Sequence, residues 1–394
     1  MKKEIIFIIK LMLGGGAERV VTLLSNAASK KGYKVSLILT HQKKNEAVLH
    51  SIDNKINIIS LPDETAKQKV AIVSPKLLML WARLLGKLGF KEKSSVLKYY
   101  SRNHSSVMWM KQYFKKHKKA SAVAFLYDSI FLTLLAKNKT NRVIISERGD
   151  PAQSSGSKTV AAFMKTEFSK ADGIVFQSPD AQKWYLENTP AEGTVIFNPI
   201  KPDLPEPYCG ERQKRIVNFC RISAQKNLMM LVDAFAEFHK DFPEYELDII
   251  GDPVGNDAKG YIDSVNEHIK KYDCENCIHI LPSRKDIHEY IKNYSMFVSS
   301  SDFEGMSNSM LEAMAMGIPC ICTDCPAGGA RAVIKDGENG LLTPVGDSHA
   351  LYIAMKKVAE NPDFAAKLSQ NSVKIREEQS VDKIIKKWME LIND

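Results

Sequence analysis

The stretch SDFEGMSNSMLEAMAMGIP, residues 301–319, sets two glutamates, Glu304 and Glu312, eight residues apart beside small and apolar side chains. Ser309 and Glu312 form an S-x-x-E pattern, and the spacing predicts a helix beginning near Ser309 whose first amides these side chains satisfy. That reading accounts for Glu312. It leaves Glu304, five residues ahead of the cap in a turn with Gly305, without a structural duty. A carboxylate there, followed by Ser307, Asn308 and the N–H groups of a helix start, combines acceptors for hydroxyls with donors for phosphate. Sugars attached to phosphates present that combination.

Two other stretches carry groups suited to a phosphate. FCRISAQKN puts Arg221 and Lys226 in one short loop between a strand and a helix, where two cations fit a diphosphate leaving group. GGGAER lets backbone amides at Gly15 and Gly16 approach a ligand closely and opens a helix, whose dipole favours an anion. A simple tight turn is the alternative there. GGGAER is not G-x-G-x-x-G, since Arg19 stands where the last glycine belongs, and the chain has no Walker sequence. Nicotinamide and ATP chemistry lose support. No Asp-x-Asp pair is present either, so protein cations and helix dipoles rather than a metal are expected to neutralise a diphosphate. Seven cysteines include Cys274 and Cys277 at metal-ligand spacing and Cys320, Cys322 and Cys325 close together. Cys320 and Cys322 alternate with isoleucine in an apolar run, where cysteine acts as a small hydrophobe, so reduced thiols are expected instead of a metal centre.

The elements that must position these residues follow from periodicity. EIIFIIK is a strand, GGGAERVVTLLSNAASKKG a glycine-rich turn into a helix, and YKVSLILT a second strand, which implies a parallel right-handed βαβ unit. ASAVAFLY, RVIISE, GIVFQS and GTVIFN continue the first domain, residues 1–198. The proline-rich stretch 199–213 reads as a linker. RIVNFCRI then restarts the pattern, with strands at YELDIIGD, CIHILP, SMFVSSS, PCICTD and NGLLTPV, through residue 375. The expectation is α/β: two Rossmann-like doubly wound domains facing across a cleft, with strand ends and helix N-termini lining it. A long final helix, about Asp363 to Asn393, is expected to send residues 376–394 back to the first domain.

The chain has 394 residues and a net charge of +9, but the basicity is local: between Lys67 and Lys119 there are fourteen Lys or Arg and one acid, Glu92. In SPKLLMLWARLLGKLGF, Leu77, Leu78, Trp81, Leu84, Leu85 and Leu88 recur at helical spacing beside Lys76, Arg83 and Lys87. This favours an anionic membrane surface over nucleic acid. A core helix with a solvated basic side is the bland alternative. No stretch approaches the roughly 18 apolar residues of a spanning helix. The N-terminus superficially resembles a signal peptide, but Glu4 and Lys10 interrupt it, so it is read as a first buried strand in a cytoplasmic protein.

The E-x7-E spacing in EGMSNSMLEAMAMGIPCICTDCPAGGARAVIKDGENGLL resembles the donor-binding signature of retaining glycosyltransferases of family 4, which have the GT-B fold. GGGAERV, ISERGDP, VIFNPI and CRISAQKN are similar to family motifs in the same order, so the resemblance runs from about residue 5 to about 390. It implies that Glu304 contacts hydroxyls of the transferred sugar and that Glu312 holds a nucleotide ribose. Arg221 and Lys226 would clamp the diphosphate, with amides of Gly305, Met306, Ser307 and Asn308 adding donors and Gly15 and Gly16 meeting the donor or acceptor. No cofactor and no metal are implied, only a UDP-sugar co-substrate. Many members carry a histidine where this chain reads SERGDP, so Glu147 and Arg148 are the candidates there, and the leaving phosphate can take the acceptor's proton. DCPAGGAR resembles members that use UDP-N-acetylgalactosamine or related donors in polysaccharide or lipid-linked oligosaccharide assembly. A polyprenyl-diphosphate-linked glycan acceptor at the inner face of the cell membrane follows from this. An epimerase of the same fold, a UDP-sugar sensor without turnover and a nucleic-acid-binding protein are the rivals.

Overall fold

The computed structural model describes residues 3–46, 49, 51–65, 74–255 and 257–393. Lys67 and Lys69 of the basic region lie outside them. The chain divides into two compact units, Met1–Pro199 with Val381–Asp394, and Ile200–Ser380.

The first unit is built on a parallel sheet of β1 (Glu4–Ile9), β2 (Lys34–Leu39), β3 (Asn57–Ser60), β4 (Ser121–Phe125), β5 (Arg142–Ser146), β6 (Gly173–Phe176) and β7 (Thr194–Val195), in the order β3-β2-β1-β4-β5-β6-β7. Strand β1 runs between β2 and β4, with Ile6 level with Ser36 on one side and Ala122 on the other. Ile5 to Ile9 are fully buried, as a parallel strand covered on both faces requires. The second unit holds β8 (Gln213–Phe219), β9 (Glu246–Ile250), β10 (Ile278–Leu281), β11 (Tyr294–Ser299), β12 (Cys320–Thr323) and β13 (Leu341–Thr343), in the order β10-β9-β8-β11-β12-β13. Its strands are parallel too. In each sheet the first strand lies inside and the strand order reverses around it. The loop after such a strand sits at a topological switch point, the place where open α/β sheets take ligands. The GGGAER turn follows β1, and the Arg221–Lys226 loop follows β8.

The structure departs from the sequence analysis at two elements. Strand β3 was not read from the sequence: NIIS is short, is half polar and forms the sheet edge, so it lacks the continuous apolar run that marked its neighbours. The expected long terminal helix is three helices, Pro362–Ser372, Ile375–Glu378 and Val381–Asn393. The last belongs to the first unit, where Ile384, Ile385, Trp388, Met389 and Ile392 are buried. Trp388 lies 5.7 Å from the Phe125 ring at the end of β4.

Candidate functional site

In the second unit the chain leaves β8 at Phe219, and Ile222 anchors the loop in the core while Arg221 points out to solvent. Lys226 ends a single turn, and Asn227 then takes a left-handed conformation at φ 44°, which asparagine tolerates better than most residues. Its side-chain oxygen accepts from Met230 N–H and caps the Leu228–Asp241 helix. The loop after β11 is stitched to this one. Ser300 Oγ donates to the carbonyls of Lys226 (2.9 Å) and Asn227 (3.0 Å), and Asp302 N–H donates to Gln225 O at 3.0 Å. Asn227 Nδ2 meets Asp302 Oδ1 at 2.7 Å, and Gln225 Nε2 meets Phe303 O at 2.7 Å.

These bonds bring Glu304 onto Lys226, and the two side chains form a direct ion pair. Burial works against the Lys226 charge, but the Glu304 carboxylate outweighs it with help from the Cys220 sulfur, and the lysine pKa sits above its ordinary value. Arg221 makes no hydrogen bond or ion pair among the described residues. The arrangement is one paired and one unpaired cation with a carboxylate between two strand ends. It suits a ligand carrying both anionic oxygens and hydroxyls.

Glu312 is placed differently from the expectation. The helix spans Asn308–Ala315, its cap is Ser307, and the Ser307 hydroxyl accepts from Met310 N–H. Ser309 is therefore not the cap, and Glu312 lies in the second turn rather than completing a capping box. Its buried carboxylate meets His288 Nε2 at 2.9 Å, and His288 is buried as well. Sequence reading missed His288: twenty-four residues separate the pair, and nothing local in DIHEY marks a partner. Gly305 and Met306 are held by a backbone approach. A Cβ on Gly329 would fall 1.5 Å from the Gly305 carbonyl oxygen, so only glycine fits there. This gives the GG of DCPAGGAR a structural role, and Arg331 closes the same loop on Asp324 at 2.6 Å. Cys322 and Cys325 border a small cavity beside Glu304, and burial pushes the Cys325 thiol up to about 11, leaving it neutral. All seven cysteines are unbridged, and no group of three or more His, Cys, Asp or Glu able to hold a metal occurs among the described residues.

In the first unit Gly14 adopts φ 92°, and Gly15 is the cap of the Gly16–Lys30 helix. The Glu18 carboxylate turns back and accepts from the N–H groups of Leu13 and Gly15, both at 2.6 Å. The Gly15 amide is thus engaged by a carboxylate of the chain itself.

Glu147 follows β5 and is 1% exposed. Its Oε1 accepts from Tyr127 Oη at 2.8 Å and from Gly149 N–H at 2.9 Å, while Oε2 is buried without a partner. Burial pushes its pKa up to about 7, against these hydrogen bonds and the Arg148 charge. The Arg148 guanidinium lies 5.2 Å from the Phe125 ring centre, and its three nitrogens are buried without hydrogen-bond partners. Burial pulls its pKa down, opposed by Glu147. A guanidinium in such a place gains most from an anion brought to it. Tyr127, distant in sequence from Glu147, was not anticipated.

Residues 206–375 match the family described as Glycosyl transferases group 1. The amylovoran biosynthesis glycosyltransferase AmsD of Erwinia amylovora is 25% identical over 100% of both chains. A 4-alpha-N-acetylgalactosaminyltransferase of Campylobacter jejuni, named for an N-acetylgalactosamine-N,N'-diacetylbacillosaminyl-diphospho-undecaprenol substrate, is 26% identical over 95% of each. Among solved structures, Anabaena HepE in complex with UDP and glucose aligns with a TM-score of 0.78 at 17% identity, covering 99% of both chains. The pneumococcal O-GlcNAc transferase GtfA in complex with UDP and GlcNAc aligns at 0.75 with 15% identity, covering 100% of this chain and 99% of its own. Residues 206–375 are thus a group 1 glycosyltransferase domain, in a chain with the two parallel-sheet α/β units of the GT-B fold.

Proposed function

We propose that the protein transfers a hexose or N-acetylhexosamine from a UDP-sugar, with retention and without a metal, to a glycan acceptor, and that this acceptor is polyprenyl-diphosphate-linked. The observation that carries the reading is the Lys226–Glu304 pair beside unpaired Arg221 at the switch point of the group 1 domain. Lys226 and Arg221 take the diphosphate oxygens, whose negative charge grows as the anomeric C–O bond breaks. Glu304, released from its lysine, accepts hydrogen bonds from sugar hydroxyls. An acceptor hydroxyl adds to the anomeric carbon from the face the diphosphate leaves, and its proton passes to the departing phosphate oxygen. Glu312, oriented by His288, takes the ribose hydroxyls. In the first unit Glu147 accepts from a hydroxyl of the acceptor, with the Arg148 charge beside it.

Two relatives support the substrate classes. The Campylobacter enzyme is named for a lipid-diphosphate-linked acceptor and AmsD for polysaccharide biosynthesis. Membrane association rests on the Pro75–Lys87 helix and its continuation. Ala82 is its buried contact with the Lys91–Arg102 helix, where Ser94 Oγ donates to Ala82 O at 2.7 Å. Leu80 and Leu88 are 62% exposed, Trp81 54% and Phe90 50%, while Leu78 and Leu85 are half-buried, and this exposed apolar surface supports a membrane-facing helix over a core helix. Lys76, Arg83, Lys87, Lys91 and Lys93 are exposed around it, as a helix lying on an anionic leaflet requires. The location that follows is the cytoplasmic face of the cell membrane.

The reading is tested by thermal unfolding with UDP and a panel of UDP-sugars. A ligand at a hundred times its Kd adds about 2.7 kcal/mol of stability. UDP is expected to stabilise the wild type and to lose its effect in Lys226→Ala. If no uridine nucleotide stabilises the chain, the donor assignment is wrong; stabilisation by a UDP-sugar without transfer to any lipid-linked glycan would favour the sensor.

A further inference from the structure

A groove of about 590 Å³ opens in the first unit along β3, the edge strand among the described residues, away from the residues discussed above. Its floor is Asn57 to Ser60, and its wall is one face of the His104–Lys116 helix, Trp109, Gln112, Tyr113 and Lys116, at the spacing that puts side chains in one row. Trp109, Tyr113 and His117 stack in sequence, with centroids 4.9 Å and 4.0 Å apart and planes within 20°. Two anchors hold this ladder: Tyr113 Oη donates to Ser36 Oγ at 3.4 Å, and His117 Nδ1 meets Glu4 at 3.0 Å. Trp109 ends the ladder, with no second ring on its other face among the described residues.

Part of the polar lining has hydrogen-bonding capacity to offer. The indole N–H of Trp109, the carboxamides of Asn57 and Gln112 and the ammonium groups of Lys44 and Lys116 make no hydrogen bond among the described residues. Asp63 and Glu64 balance the two lysines, so the groove carries no excess of either charge. An aromatic surface that meets the weakly positive C–H faces of a pyranose, ringed by carboxamides and carboxylates for its hydroxyls, is the chemistry of a neutral sugar chain. The volume lies in the range of small-ligand sites. The groove also has a direction. His117 and Glu4 mark the N-terminal end of β1, whereas Ser60 is the C-terminal residue of β3 and Lys44 lies past the C-terminal end of β2. In this parallel sheet that second end is also where Gly15 and Glu147 emerge.

We propose that this groove is a second glycan subsite, holding internal sugars of a neutral oligosaccharide whose reacting end lies at the C-terminal ends of the strands. The proposal rests on the reading of the chain as a glycan-elongating transferase and adds a remote contact that makes binding depend on acceptor length. The full chain is to be tested on an array of neutral and uronic-acid-containing oligosaccharides three to eight sugars long, with UDP protection and sedimentation velocity measured in parallel. Retention of a neutral series is expected to rise with length, to fall about ten-fold in Trp109→Ala, and to survive in Trp109→Phe. Gln112→Ala and Asn57→Ala, at exposed positions, are expected to weaken it as well and serve if Trp109→Ala does not fold. UDP protection should be the same in all variants. The proposal is overturned if no neutral glycan is retained, if only acidic ones are, if the variants retain glycans like the wild type, or if Trp109→Ala merely splits a dimer. Loss of UDP protection in the wild type would instead strike the donor assignment, which the array does not measure.

Discussion

Glu304 and Glu312 share a motif but not an environment. Glu304 holds Lys226 at a partly open loop, while Glu312 is buried against His288. Removing Glu304 strands a largely buried ammonium, so Glu304→Ala is expected to cost on the order of 1–3 kcal/mol as well as transfer activity. Glu304→Gln keeps a hydrogen-bond acceptor and should lose activity with a smaller loss of stability. Glu312→Ala should be at least as destabilising as Glu304→Ala, because His288 then has no partner in the interior. Urea titrations of the three variants beside a transfer assay check this, and equal stabilities for all three would refute the contrast. Glu147 gives a pH signature. Its pKa rises from 4.5 to about 7, so between these values the folded chain binds more protons than the unfolded one. The stability tied to Glu147 is therefore complete below pH 4.5 and lost as pH climbs through 7, by about 3 kcal/mol. Melting curves from pH 5 to 8 should show this decline in the wild type and not in Glu147→Gln; parallel curves would mean that the carboxylate stays ionised.

At the scale of elements, the Pro75–Lys87 helix makes the clearest prediction. Burying its outward leucines and Trp81 in a leaflet supplies apolar free energy, and the flanking lysines and arginines add roughly 1 kcal/mol each near an anionic surface. Neutralising Lys76, Arg83 and Lys87 should lower co-sedimentation with anionic liposomes and leave the thermal stability unchanged, since all three are exposed. Unchanged co-sedimentation would remove the membrane from the proposal. The same elements show why sequence reading worked unevenly. Strands such as EIIFII and ELDII are buried on both faces and announce themselves by composition. Strand β3 has one neighbour among the described residues and is only half-buried over most of its length, and its pattern is no different from a loop's. The cap of the Asn308–Ala315 helix was misplaced by two residues because Ser307 and Ser309 are chemically equivalent candidates, and the loop path set by Gly305 and Gly329 chooses between them.

For the whole molecule, the division into two units has a thermodynamic consequence. Each has its own sheet and core, and the last helix belongs to the first unit although the second precedes it in the chain. Trp388→Ala should remove about 3–5 kcal/mol from the first unit. Calorimetry is expected to show two transitions, of which Trp388→Ala lowers one and UDP raises the other. A single transition moved by both would mean that the units unfold together. What the sequence by itself determined is the alternation of strands and helices, the restart near residue 213 and the motif residues, because short-range periodicity and spacing encode them. The tertiary structure decided which charges are already satisfied within the fold. It gave Glu18 to the Gly15 amide, Lys226 to Glu304, His288 to Glu312 and Tyr127 to Glu147. It also left Arg148 and the β3 groove with polar groups to offer. Such pairings join residues far apart in the chain, and their energies depend on burial that exists only once the sheets have formed.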